Sequence, residues 1–120
     1  MPLRALFTTQ LVVVAFLGVL HVGALSYSLY WQYPWLDVLS HFLGGLWVAL
    51  ALLWLAYRFG IHPRAFHLFL GVLAVGLAWE VFEVAAGIPR ESNWLFDTAI
   101  DLIMDLFGAL VGIVWGKRLL

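Results

Sequence analysis

Residues 5–30 read ALFTTQLVVVAFLGVLHVGALSYSLY, a run that contains no Asp, Glu, Lys or Arg. A bilayer span needs about 20 predominantly apolar residues, so this run is long enough to cross a membrane as a helix. The chain has 120 residues, of which 65% are hydrophobic and 11% are charged. Because an ordinary soluble domain has about 25% charged residues, the composition predicts an integral membrane protein and excludes a soluble enzyme or a disordered chain.

Three further apolar runs follow the first. Pro34 disfavours helical geometry at Tyr33 and separates the first run from the second, and the third run ends at a glycine and a proline within residues 87–89. The sequence predicts an all-α bundle of four transmembrane helices in one domain, 1–120, with helices at about 5–30, 37–58, 65–87 and 97–118. Short loops make consecutive helices antiparallel. A secretory signal ending near Ala24 is the alternative for the first run.

The basic residues predict the orientation of the bundle, because Lys and Arg are enriched in cytoplasmic loops. With four spans, the following lie on the same side as both termini: Arg4, Arg58, Arg64, Lys117 and Arg118. Only Arg90 falls on the other side. We therefore expect a multi-pass protein of the cell (inner) membrane with both termini in the cytoplasm. The net charge of −1 and the lack of a basic patch predict no nucleic-acid partner.

A stripe of small residues predicts close helix packing. Gly108, Gly112 and Gly116 recur every four residues on one face of the fourth helix, and small residues at this spacing let another helix approach. Packing within the chain and a homo-oligomer interface both satisfy the pattern. Membrane lipids are the other expected partners.

The acidic residues have an unusual distribution. All except Glu91 lie within or at the end of a predicted span: Asp37, Glu80, Glu83, Asp97, Asp101 and Asp105. A charge at the centre of the bilayer costs about 2.5–3.5 kcal/mol on insertion scales, and no Lys or Arg lies in the interior of a span to pair with these acids. A helix rises about 1.5 Å per residue, which places the acids, together with His21 and His41, in one layer in the outer half of the membrane.

Such a layer predicts a polar core that protons, a metal ion or an organic cation would neutralise. Carboxylate and histidine ligands from facing helices form metal sites in helix bundles. The predicted ligands of a divalent metal ion (Zn, Mn, Fe or Mg) are His21, Asp37, His41, Glu80, Glu83, Asp101 and Asp105, with Glu83 or Asp101 as a catalytic general base. Simpler interpretations remain open for some of them: Asp37 and Asp97 as helix N-caps, and His41 as a core histidine hydrogen-bonded to Asp37.

Three blocks of the sequence resemble the YjdF-like small bacterial integral membrane proteins and, more loosely, the VanZ-like proteins. The blocks are Asp37-Val-Leu-Ser-His41-Phe-Leu-Gly44-Gly45, Trp79-Glu80-Val-Phe-Glu83 and Asp97-Thr98-Ala-Ile-Asp101-Leu-Ile-Met-Asp105-Leu-Phe-Gly108-Ala. The similarity covers about residues 37–112, and in those families an Asn often stands where Asp105 stands here. The resemblance implies the architecture and the positions of the site, and it implies no particular activity.

Three functions follow as hypotheses. In the first, a metal ion in the outer half of the membrane acts on a lipid or a lipid-linked phosphate. In the second, the acidic cluster is a relay that transports protons or cations. In the third, the protein is a non-catalytic scaffold or subunit in which a cation holds the helices together. The sequence leaves open whether the protein is an enzyme.

Overall fold

The computed structural model describes residues 2–87 and 93–120, and the regular structure within these ranges is entirely helical. The helices are α1 Pro2–Ser26, α2 Leu29–Gln32, α3 Trp35–Arg58, α4 Ala65–Ala85 and α5 Trp94–Leu119. All except α2 are long and apolar enough to cross a membrane, which confirms the four predicted spans. Arg90, expected on the outer side, lies outside the described residues, and the orientation of the termini stays a prediction.

The first span ends earlier than the sequence indicated. α1 stops at Ser26 instead of continuing to about Tyr30, because Ser28 adopts the left-handed conformation with φ 54° and ψ 35°. No glycine or proline marks this break, so the apolar composition concealed it. The short α2 follows, and the interruption predicted before Pro34 is confirmed, since Tyr33 leaves the helical region with φ −131° and ψ 82°.

The alternative interpretation of Asp37 and Asp97 as N-caps is wrong. The N-cap position of α3 is Pro34 and that of α5 is Asn93, so both helices begin earlier than predicted. Both aspartates instead lie within the first turn of their helices, where a negative charge interacts favourably with the helix dipole.

The central pair of the bundle is α3 and α5, which make the most extensive contact, and α1 and α4 pack against this pair. The two central helices run parallel. A Cβ added to Gly108 would overlap the backbone of Phe42, and one added to Gly112 would lie 2.7 Å from the carbonyl oxygen of Leu46. The glycine stripe therefore packs within the chain. Oligomerisation through the same positions stays an untested prediction, and it would have to compete with this contact.

An apolar core fills the half of the bundle nearest the termini. Leu6 of α1 and Leu50 and Leu53 of α3 are fully buried there, and Leu68 of α4 is 3% exposed. The outer surface of the helices is also apolar, as shown by Val19, which is 75% exposed. A surface of this kind faces lipid rather than water.

Candidate functional site

The ends of α3 and α5 farthest from the chain termini hold the polar side chains. Asp37 lies in the first turn of α3, and His41 follows one turn later. On α5, Asp101 and Asp105 are one turn apart, and they are buried with 5% and 6% exposed. A spacing of four residues brings each pair onto one helix face, so the two helices enclose the polar layer between them.

The close approach of the two helices sets the position of these side chains. A Cβ on Gly45 would overlap the backbone of Asp105, and a Cβ on Gly76 of α4 would lie 2.5 Å from Oδ2 of the same aspartate. Glycine at both positions therefore leaves space for Asp105 between α3, α4 and α5.

The two ring nitrogens of His41 have different partners. Nδ1 lies 3.1 Å from Oδ1 of Asp105, and when that carboxylate is ionised it accepts the hydrogen bond from Nδ1. Nε2, which carries the lone pair when the imidazole is neutral, lies 3.4 Å from Oδ2 of Asp101 and 3.7 Å from Oδ1 of Asp37. Histidines that bind metals show this arrangement, in which a carboxylate holds one nitrogen and the other nitrogen faces the ion.

Asp37, His41 and Asp101 each direct one potential ligand atom into one small space. One atom from each residue lies within 4.8 Å of the other two. Around a zinc-like ion, with bonds of about 2.0–2.2 Å, ligand atoms lie about 3–4 Å apart, so small side-chain movements suffice for coordination. Oδ1 of Asp101 is buried without a hydrogen-bond partner. A buried polar oxygen without a partner is unfavourable, and a proton or a nearby cation would stabilise it.

The two predicted ligands on α4 have other partners. Oε2 of Glu80 accepts a hydrogen bond from Thr98 at 3.3 Å, while its Oε1 is buried without one. Glu83 accepts a hydrogen bond from the indole of Trp79 at 2.9 Å. Both glutamates flank the Asp37–His41–Asp101 group without belonging to it.

His21, the predicted ligand on α1, belongs to a separate hydrogen-bonded chain. Its Nδ1 lies 2.8 Å from the hydroxyl of Tyr30, which in turn lies 3.0 Å from Oγ of Ser40. Burial raises the pKa of the Tyr30 hydroxyl above its usual value, although the hydrogen bond with Ser40 opposes this shift. These two hydrogen bonds connect α1, α2 and α3, and they end at Ser40, the residue directly before His41.

Tyr30 and Ser40 are among the polar residues that sequence reasoning missed. Tyr30 lies in an aromatic-rich segment typical of a membrane interface, which concealed its inward-facing hydroxyl. Ser40 had one available signal, its position directly before His41 on the same helix.

The whole chain, residues 1–120, matches the family described as "Predicted membrane protein (DUF2238)". The chain belongs to this family. The DUF2238 description agrees with the four membrane-length helices of the structure, and it supports the broader part of the resemblance, to a family of small membrane proteins. No curated protein and no solved structure matches the chain significantly.

Proposed function

We propose that this DUF2238 protein binds a divalent metal ion between Asp37, His41 and Asp101 and uses it to act on a lipid or a lipid-linked phosphate. The observation that carries the proposal is the orientation of the His41 ring, whose Nδ1 is bound to Asp105 while Nε2 faces two carboxylates. A metal ion bound between Nε2 and the two carboxylates would neutralise the negative charge of this group.

The donor set favours some ions over others. An imidazole with two carboxylates suits Zn, Mn or Fe, whereas Ca and Mg prefer oxygen ligands alone. In this proposal His41, Asp37 and Asp101 hold the ion and Asp105 orients the imidazole. The finer resemblance, to the YjdF-like proteins, belongs to the same proposal, because its three blocks supply the polar layer on α3, α4 and α5.

The position of the cluster supports a substrate at the membrane surface. His41 lies about 9 Å along α3 from its first residue, Trp35, and the side chain of Asp37 is 42% exposed on the open side of the group. A head group is therefore able to approach through Asp37. When bound, the metal would polarise a phosphoryl oxygen and activate water. With Asp101 as a ligand, Glu83 is the general base that we propose, since its carboxylate lies beside the group.

The bundle gives little support to transport. The half near the termini is filled by buried leucines and valines, and its buried polar side chain, Gln10, accepts a hydrogen bond from Trp47 at 2.9 Å. Within the described residues, no chain of ionisable groups continues the polar layer through this half. For the membrane itself we propose the cell inner membrane, with the basic ends of the helices in the cytoplasm.

The test measures metal content by elemental analysis after purification in detergent with Zn, Mn or Fe supplied. We expect about one ion per chain in the wild type, as for a single three-ligand site, and loss of the ion in Asp101→Asn. Asp97→Asn is the matched control, because it removes the same charge one turn away on the same helix and should retain the ion. Equal metal content in all three proteins, or none in the wild type, would contradict the metal site.

The activity is tested with the same proteins. The metal-loaded wild type should release phosphate from phosphatidic acid in mixed micelles, and Glu83→Gln should retain the metal while losing this release. Metal binding without phosphate release, combined with a chelator-sensitive unfolding temperature, would instead favour the scaffold.

A further inference from the structure

The opposite end of the bundle has an open crevice between α1 and α3. It has a volume of about 480 Å³, within the range of ligand sites, and it is lined by Pro2, Leu3, Arg4, Phe7, Trp54 and Arg58. The two arginines come from different helices, and both are exposed. The crevice lies at the far end of the helices from the metal site, so its argument is independent of the proposed function.

Among the described residues, no acidic side chain lies at this end of the bundle. Every acidic residue of the described ranges lies in the polar layer or at the start of α5, at the other end of the helices. Among those residues, neither Arg4 nor Arg58 forms an ion pair with a carboxylate side chain. Two unpaired guanidinium groups beside one crevice are complementary to an anion, and phosphate is the anion that arginine binds with two parallel hydrogen bonds.

Below the arginines the crevice is aromatic. Phe7 lies one turn deeper than Arg4 on α1, and Trp54 lies one turn deeper than Arg58 on α3. Their ring centroids are 5.0 Å apart, and Phe7 is 38% exposed. A cationic rim above an apolar wall matches a molecule with an anionic head and a hydrocarbon tail, which distinguishes a phospholipid from free phosphate.

We propose that this crevice binds an anionic phospholipid, with its phosphate between Arg4 and Arg58 and an acyl chain along Phe7 and Trp54. Basic pockets between transmembrane helices bind anionic head groups in this way. The lipid would bind in either orientation of the protein in the membrane, because the residues that recognise it belong to α1 and α3.

The test compares lipid retention by native mass spectrometry after reconstitution in vesicles of equal parts phosphatidylglycerol and phosphatidylcholine. The wild type should retain phosphatidylglycerol in preference to phosphatidylcholine. The double variant Arg4→Gln/Arg58→Gln should lose this preference by about 30-fold, since each basic group near an anionic surface contributes about fivefold.

The matched control is Arg64→Gln/Lys117→Gln, which removes two positive charges at the same end of the bundle but outside the crevice. It should retain the preference for phosphatidylglycerol. Equal losses in the two double variants would overturn the proposal, because attraction by the overall charge of this end would then explain retention. Retention of glycerol phosphate, which has no acyl chains, as strongly as of phosphatidylglycerol would also overturn it.

Discussion

The imidazole of His41 contacts three carboxylates from two helices, and its two nitrogens have different partners. Asp105 holds Nδ1, which fixes the ring so that Nε2 points to Asp37 and Asp101. In the proposed metal site, Asp105 would therefore orient the His41 ring and would not bind the ion itself. Loss of such an orienting partner typically lowers metal affinity 10–100-fold.

Asp105→Ala should lower metal affinity by about that factor, because the ring loses the acceptor that fixes its orientation. Asp105→Asn should lower it less, since the amide oxygen still accepts the Nδ1 hydrogen bond. Competition with a metal-sensitive dye in detergent measures both affinities. If Asp105→Asn were as weak as Asp101→Asn, Asp105 would be a direct ligand instead.

At the scale of single residues, the sequence predicted the depth at which the polar side chains lie better than it predicted which atoms they contact. The spacing of Asp101 and Asp105 and the depth of His41 were sufficient to predict that they lie in one layer. Helical spacing predicts on which face of a helix a side chain lies and how far along the helix it lies. It does not predict which ring nitrogen a carboxylate approaches. Only the structure therefore shows that Asp105 approaches Nδ1 and Asp101 approaches Nε2.

At the scale of helices, the contact of α3 with α5 depends on the absence of side-chain atoms at a few positions. Gly45 and Gly44 are neighbours with opposite environments. A Cβ on Gly45 would overlap the backbone of Asp105, whereas a Cβ on Gly44 would meet nothing within 4 Å. Adjacent positions thus separate the steric effect of a methyl group from its effect on helix propensity.

Gly45→Ala should lower the free energy of unfolding by about 1–3 kcal/mol, because backbone atoms of α5 have to move away from α3. Gly44→Ala should be neutral or stabilising by up to about 1 kcal/mol, since alanine is favoured over glycine within a helix. Thermal unfolding in one detergent compares the two variants. Equal destabilisation would show that α3 and α5 do not pack as closely as described.

The number of membrane spans and their approximate limits followed from apolar runs and charges, but two features did not. Ser28 breaks the first run without any glycine or proline, so only the backbone reveals α2. The starts of α3 and α5 were also predicted too late, because Trp35 and Trp94 are apolar and aspartate is a common N-cap residue.

At the scale of the whole molecule, the bundle has two unlike halves. Leucine and valine side chains fill the half near the termini, and carboxylates and imidazoles occupy the other. Composition alone predicted a membrane protein, and depth along each helix predicted this division. The contact between the parallel helices α3 and α5 was not predictable. Short loops make consecutive helices neighbours, but they do not determine which non-consecutive helices pack against each other.

The chain contains no cysteine, which makes its topology directly testable. Single variants Gln32→Cys and His62→Cys place one thiol at each end of the bundle, and both positions are exposed. A membrane-impermeant maleimide should label Gln32→Cys in intact cells and His62→Cys only after lysis, because the basic loop is expected inside. The reverse labelling pattern would invert the orientation.

The hydrogen bond between His41 and Asp105 spans 64 positions of the chain. At synthesis rates of about 5–20 residues per second, the ribosome makes the aspartate about 3–13 s after the histidine. During this interval α3 is present without α5, the helix that carries the buried carboxylates of Asp101 and Asp105. Until α5 is made, Asp37, one turn away on the same helix, is the only carboxylate of this group that is available to His41.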